Sequence, residues 1–293
     1  MIQLKGSLTA LITPFKGGAV DAAAFQAMVN DQIEAGTHGL VPVGTTGESA
    51  TLNDAEHERV IRLCVEAAAG RVPVVAGAGS NDTAYAISMA ERVTGFGADA
   101  ILAVTGYYNR PNQTGVYLHY EALHNAIDAP LVIYNIPART TVEISVETLA
   151  RISKLPRVIA VKDATGDLGR VPLQRRECAE GFIQLSGEDM TAVGFNAMGG
   201  TGCISVTSNV APALCAKMQE LCLADDYAGA LAMQDKLAPL HDALFSDASP
   251  GPTKYALSLM GKCTDDVRLP VAGPGEASKA KVRAALKALD LIG

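Results

Sequence analysis

Eight short apolar runs, separated by stretches of helical spacing, constrain this chain more than any other feature. The runs lie at 7–15, 39–44, 72–77, 100–104, 130–135, 158–162, 183–187 and 203–206, those near 184 and 203 being the faintest. The first intervening stretch, 21–35, places Phe25, Met28, Val29 and Ile33 on one helical face. The second, 53–69, opens on a capping Asn53 and stops at Gly70. Further stretches follow at 83–96, 115–127, 145–152, 171–179, 191–198 and 212–224. Strands that alternate with helices pair in parallel, and eight such units predict a (β/α)8 TIM barrel. The barrel is complete by about residue 224. The remainder, 225–293, reads as a C-terminal helical subdomain with helices at 227–244, 252–260 and 276–289. The expected division is therefore a catalytic barrel over 1–224 and a helical subdomain over 225–293. A chain of 293 residues, 48% hydrophobic, can bury a core of that size.

The run 158–162 ends in Lys162, with Gly166 and Asp167 as turn formers beyond it. A strand buried on both faces is no ordinary place for a lysine. Desolvation disfavours an ammonium, so an amine there can act as a neutral nucleophile and form Schiff bases with carbonyls. The ordinary reading is a lysine whose stem lies on apolar surface while its head reaches water. Its neighbours decide between the two. In a (β/α)8 barrel the chemistry sits at the C-terminal strand ends. Those ends carry Thr45 and Thr46 between glycines, Tyr107 and Tyr108, Tyr134 with Arg139 just beyond, Lys162, Gly187, and Ile204 with Ser205. Taken singly, each has a structural use. The threonines suit a tight turn, the tyrosine a core position and the arginine a wet surface. Taken together they make a set that could hold a small carboxylate, move protons and clamp a second carboxylate.

Composition narrows the partners. A net charge of −7 argues against nucleic acid, and no apolar run reaches membrane-spanning length. Residues 1–15 lack the segments of a signal peptide. The six cysteines form no C-x-x-C pair and no cysteine–histidine cluster of zinc spacing. They read as buried thiols in a reducing compartment, so a cytoplasmic location and no metal are expected.

Four motifs carry a resemblance: GTTGES at 44–49, TGYYNRP at 105–111, YNIPART at 134–140 and VKDATGD at 161–167. Together they resemble the dihydrodipicolinate synthase family, one branch of the pyruvate-dependent class I aldolases and lyases that also include N-acetylneuraminate lyase. The resemblance spans essentially the whole chain. It implies Schiff-base condensation of pyruvate with L-aspartate 4-semialdehyde to 4-hydroxy-tetrahydrodipicolinate, the first committed step of diaminopimelate and lysine biosynthesis, without a cofactor. It assigns the Schiff base to Lys162, proton relay to Tyr134, and the link to a second tyrosine, Tyr108, to Thr45. In the family that second tyrosine enters the neighbouring subunit's site, within a homotetramer built as a dimer of dimers. Thr46 is implied to hold the pyruvate carboxylate and Arg139 that of the semialdehyde, with the backbones of Gly187 and Ile204 lining the pocket. Ser49, Ala50, His57, Asn81 and Tyr107 match a regulatory lysine site. Two positions depart from that site, Asp54 for a frequent histidine and Tyr85 for a glutamate, so a weak response to L-lysine is expected. Gly106 departs from a frequent proline. The alternatives are another aldehyde partner, as in sialic acid lyase or a keto-sugar-acid aldolase, or a non-catalytic pyruvate-binding barrel. Arg139 and Tyr108 weigh against the first, and the Lys162, Tyr134 and Thr45 set against the second.

Overall fold

The computed structural model describes residues 2–293. Its parallel strands are β1 Gly6–Ala10, β2 Gly39–Val41, β3 Val75–Gly77, β4 Ala100–Val104, β5 Leu131–Asn135, β6 Val158–Asp163, β7 Ile183–Ser186 and β8 Gly202–Ser205. Their hydrogen-bonded order runs β2, β1, β8, β7, β6, β5, β4, β3, and a bridge between Leu40 and Val74 brings β2 back to β3. Between and after them lie α1 Ala22–Glu34, α2 Asp54–Ala68, α3 Thr83–Thr94, α4 Gln113–Ala126, α5 Val146–Ile152, α6 Arg170–Glu177, α7 Ala192–Ala197 and α8 Pro212–Leu223. This is the (β/α)8 barrel that the spacing predicts. Helical crossovers are what parallel neighbours require, because a tight hairpin can join only antiparallel strands.

Each strand has two apolar faces with different partners. The inner face carries Leu8, Val41, Val75, Leu102, Val132, Ala160, Leu185 and Ile204, which fill the barrel. The outer face carries Leu40, Ala76, Ile101, Ile133 and Val161, packed against Phe25, Val60, Ile61, Val116, Tyr120 and Leu149 of the helices. β8 is faint in the sequence because it begins with glycine. A side chain at Gly202 would sit 2.4 Å from the Gly6 carbonyl oxygen of the paired strand.

The first strand is shorter than the expected 7–15. It ends at Ala10, and a separate two-residue hairpin pairs Phe15–Lys16 with Ala19–Val20. The Asn209 side chain takes the Ala10 carbonyl and the Ile12 N–H, which ends the ladder there. Gly17 and Gly18 adopt φ of 60° and 82°, the left-handed pair that a tight hairpin turn needs. The helix ends follow local chemistry more closely. Asn53 and Glu56 cap α2 reciprocally, as a capping box.

Beyond residue 224 come α9 Tyr227–Leu244, α10 Gly251–Leu259 and α11 Glu276–Ala288. None of the described helices is long and apolar enough to cross a membrane. One apolar cluster joins Cys215, Met218 and Cys222 of α8 to Leu237, Leu240 and Leu244 of α9 and to Val282 and Leu286 of α11. A polar contact joins the tail to the catalytic end of the barrel. Lys254 of α10, completely buried, meets the Glu48 carboxylate at 2.5 Å, donates to the Asp266 carbonyl at 2.8 Å and lies over the Phe15 ring. Arg268 donates its N–H to the other Glu48 oxygen at 2.9 Å and engages the Glu56 carboxylate with its guanidinium. Burial holds the Lys254 amine below the usual lysine range, while Glu48 acts in the opposite sense.

Removing one partner of a buried ion pair leaves the other charge uncompensated, at about 3–5 kcal/mol. Lys254→Met should therefore lower the unfolding free energy by that order, seen as a lower urea midpoint, and the double change Lys254→Met with Glu48→Gln should recover part of it. Equilibrium unfolding in urea reads both.

Candidate active site

The site is built first by the register of β5 and β6. Tyr134 stands beside Lys162, and Asn135 beside Asp163. Side chains alternate along a strand, so the first pair points inward and the second outward. Val132 and Ala160 precede the inward pair on the inner face of the barrel. Lys162 is 6% exposed, and its amine lies 4.3 Å from the centroid of the Tyr134 ring. Among the described residues no carboxylate pairs with it, in contrast to Lys254. Gly187, at the end of β7, makes room for this arrangement: a Cβ there would lie 2.7 Å from the Ala164 Cβ and 3.1 Å from the Lys162 Cε. Ile204 of β8 is buried in the same inner cluster.

The turn after β2 supplies the next groups. Val43 adopts φ of 49°, a costly conformation for a β-branched residue. It holds because glycines crowd it. The Val43 carbonyl oxygen lies 2.3 Å from where a Cβ of Gly77 would be, and its Cα 3.0 Å from that of Gly47. Within the turn, the N–H groups of Gly47 and Glu48 bond back to the carbonyls of Gly44 and Thr45 at 3.1 Å. Those of Thr45 and Thr46 bond no described residue, so these two N–H groups are the ones that can receive an anion. Thr46 is buried and Thr45 exposed. A cavity of about 50 Å³ is lined by Thr45, Tyr134, Ser49 and His57 among others. Burial pushes the His57 imidazole below its ordinary range, and its Nε2 has no partner among the described residues.

Two further groups stand on loops. Arg139 is exposed at the end of a helical turn, Pro137–Thr140, which the sequence reading did not foresee, and no described carboxylate pairs with it. Tyr108 is 92% exposed with φ of 68°, and it does not line the cavity beside Thr45 and Tyr134. Strain of this kind persists only where the surroundings impose it. Here Asn109 donates to the Asn81 carbonyl at 2.7 Å and Asn81 to the Tyr107 carbonyl at 3.1 Å. The space at Gly106 is filled by Pro111, whose Cγ lies 2.9 Å from a Cβ built there. The five residues matched to a lysine site fall in two groups, Ser49 and His57 at the cavity and Asn81 with Tyr107 at this loop; Ala50 is exposed. The two departures from that site bond each other. The Tyr85 hydroxyl donates to Asp54 at 2.5 Å, and Arg92 meets the second Asp54 oxygen at 3.1 Å.

The sequence reading missed the outer shell. Asp163, directly after Lys162, is buried and accepts from Thr165, Arg170 and Gln174. Its signal lies inside the VKDATGD motif, at the position after the lysine. Glu48 likewise sits inside GTTGES, but its partner Lys254 lies far along the chain and has no local signal. Gly187→Ala should displace the Lys162 stem and slow adduct formation with pyruvate about tenfold or more, a near-contact misplacement effect. Borohydride trapping followed by intact mass measures that rate.

Comparison with known proteins gives a consistent result. The sequence model of the Dihydrodipicolinate synthetase family matches residues 3–289. The 4-hydroxy-tetrahydrodipicolinate synthase of Parvibaculum lavamentivorans is 57% identical over 290 residues, 99% of this chain and 100% of that one. The chloride-inhibited dihydrodipicolinate synthase of Acinetobacter baumannii, solved in complex with pyruvate, superposes with a TM-score of 0.97 at 39% identity, covering 99% of this chain and 100% of that one. The enzyme of Cyanidioschyzon merolae, solved with lysine bound, gives 0.95 at 34% identity, covering 98% and 99%. The chain belongs to the dihydrodipicolinate synthetase family.

Proposed function

We infer that this protein is a Schiff-base lyase that condenses pyruvate with L-aspartate 4-semialdehyde to 4-hydroxy-tetrahydrodipicolinate, in diaminopimelate and lysine biosynthesis. The observation that carries the reading is Lys162: buried, without a carboxylate partner, and seated over Tyr134 at the catalytic end of the barrel. We assign the chemistry to residues 1–224 and read 225–293 as a helical subdomain that braces them through Lys254 and Arg268. A cytoplasmic location fits a biosynthetic enzyme of this kind.

In this mechanism the Lys162 amine attacks the pyruvate ketone, and loss of water gives the imine. The pyruvate carboxylate is received by the Thr46 hydroxyl and the N–H groups of Thr45 and Thr46. A proton leaves the methyl carbon through Tyr134, and an enamine forms. Its carbon attacks the semialdehyde carbonyl, which takes up a proton to become the hydroxyl. The amine of the semialdehyde then attacks the imine carbon, closes the ring and expels Lys162. The protonated imine accepts the electrons when the methyl proton leaves and again when the amine attacks; in between, the enamine donates them to the aldehyde carbonyl and the imine reforms. Arg139, exposed and unpaired beside β5, is the receptor proposed for the semialdehyde carboxylate. Thr45 passes protons outward from Tyr134 to Tyr108 of an adjoining subunit. The exposure and imposed backbone of Tyr108 support that reach, and with it a tight dimer within a dimer of dimers. Gly187 and Ile204 bound the pocket behind the imine.

Lys162→Arg keeps the charge but supplies no neutral amine. It should abolish the borohydride-trapped pyruvate adduct and turnover of both substrates. A full-strength adduct in that variant refutes the assignment.

L-lysine is proposed as a weak inhibitor at Ser49, Ala50, His57, Asn81 and Tyr107. Asp54 does not make up for the glutamate absent at position 85, because Tyr85 and Arg92 already occupy both its oxygens. Loss of one charge-assisted partner for an ammonium corresponds to about one to two decades of affinity. Half-inhibition is expected only at millimolar L-lysine, and Tyr85→Glu should strengthen it. Initial rates against added L-lysine decide; micromolar inhibition of the unaltered protein contradicts the account.

A further inference from the structure

The stretch 143–145, between the Arg139 turn and α5, is held from three sides by side chains. Gln113, the first residue of α4 and close after the Tyr108 loop, donates to the Glu143 carbonyl at 2.8 Å and accepts from the Ser145 N–H at 3.1 Å. Asn135, at the end of β5, accepts from the Ile144 N–H at 3.1 Å. Arg170, at the start of α6, donates to the Ile144 carbonyl at 2.7 Å and pairs with the Glu143 carboxylate. Its Nε meets Asp163, next to Lys162, at 3.2 Å. Upstream, the Thr140 hydroxyl lies 3.0 Å from the Ile136 carbonyl and 2.8 Å from that of Val142, which ties the Arg139 turn to the held stretch.

A surface connection can leave its backbone groups to water. Here four successive groups, from the Glu143 carbonyl to the Ser145 N–H, each meet a side chain from another element. Those elements are the ones that follow β4, end β5 and follow β6. The chain just ahead of the first carries Tyr108, the second carries Tyr134, and the strand ahead of the third carries Lys162.

We propose that Gln113 and Arg170 are positioning residues. Acting through 143–145, they hold the turn that carries Arg139 at a set distance from the strand that carries Lys162. Neither touches substrate. The proposal rests on the reading of Arg139 as the semialdehyde receptor. Pyruvate needs only Lys162, Tyr134 and the Thr45–Thr46 turn, none of which 143–145 holds. Loosening this stretch at Gln113, which bonds nothing beside Lys162, therefore acts on the second substrate alone, whereas Arg170 also holds Asp163 beside Lys162.

The test is steady-state kinetics with both substrates, beside borohydride trapping with pyruvate alone, on Gln113→Ala, Gln113→Glu and Arg170→Lys. Gln113→Ala loses two neutral hydrogen bonds at a half-buried site and should raise KM for the semialdehyde about three- to thirtyfold. Its rate of pyruvate trapping should stay within about twofold of the unaltered protein, a change too small to report a lost contact. Gln113→Glu keeps the acceptor for Ser145 but sets a carboxylate oxygen against the Glu143 carbonyl, so it should raise the same KM at least as far as Gln113→Ala. Arg170→Lys should shift the same constant in the same direction, with thermal melting as a check that it folds; if it does not, the Gln113 pair decides. An unchanged semialdehyde KM in Gln113→Ala, or pyruvate trapping that falls by the same factor, overturns the proposal. Arg139→Ala separates the two levels. If it raises the semialdehyde KM while Gln113→Ala does not, only the positioning role fails. If it leaves that KM unchanged, the reading of Arg139 fails and this proposal with it.

Discussion

Everything at the catalytic mouth depends on the two-residue alternation of β5 and β6 at one register. Pairing Tyr134 with Lys162 places both inside the barrel, and the same pairing places Asn135 and Asp163 outside. A one-residue slip of β6 would exchange Lys162 and Asp163, burying a carboxylate in the barrel and turning the amine toward the helices. The inner pair does the proposed chemistry and the outer pair fastens the strand ends. Asn135 holds the chain at Ile144, and Asp163 holds Arg170 and Gln174. Catalytic and structural roles are therefore separated by the thickness of one strand.

The two buried lysines show how a site is told from a strut. Lys254 is buried completely, with a carboxylate, a carbonyl and a ring around its amine. Every direction in which it could act is taken, which suits a brace between barrel and tail. Lys162 is nearly as buried, yet its described neighbours are an aromatic face and the open side of a glycine. A buried amine without a counter-charge is costly and persists where something uses it.

Backbone strain marks the same mouth. Val43 and Tyr108, both outside glycine's usual company, take positive φ at the ends of β2 and β4. In each case the surroundings impose it: Gly47 and Gly77 close around Val43, and Asn81 and Asn109 pin the loop at Tyr108. The cost falls on the loops at the mouth; the β5–β6 ladder has its own irregularity at the opposite end, a register shift between Leu131 and Val132.

The sequence by itself determined the class of fold and the inner set of the site. Periodicity is a local property, so the runs and helical stretches were legible from end to end, and Lys162, Tyr134 and Thr45 stood out within short motifs. Boundaries were legible where a local group fixes them, as with Asn53 at α2. The first strand was overextended because an apolar run continues through Ile12, while the side chain of Asn209 takes the Ala10 carbonyl and the Ile12 N–H out of the ladder. Only the tertiary structure decided what lies opposite what. Glu48 meets Lys254, Gln113 meets 143–145, and Asp54 is bound by Tyr85 and Arg92 rather than left free. These pairs join residues distant in the chain, and no window of sequence contains both partners. The sequence names the side chains that can react; the closed barrel, through its register and its buried polar contacts, sets which of them face one another.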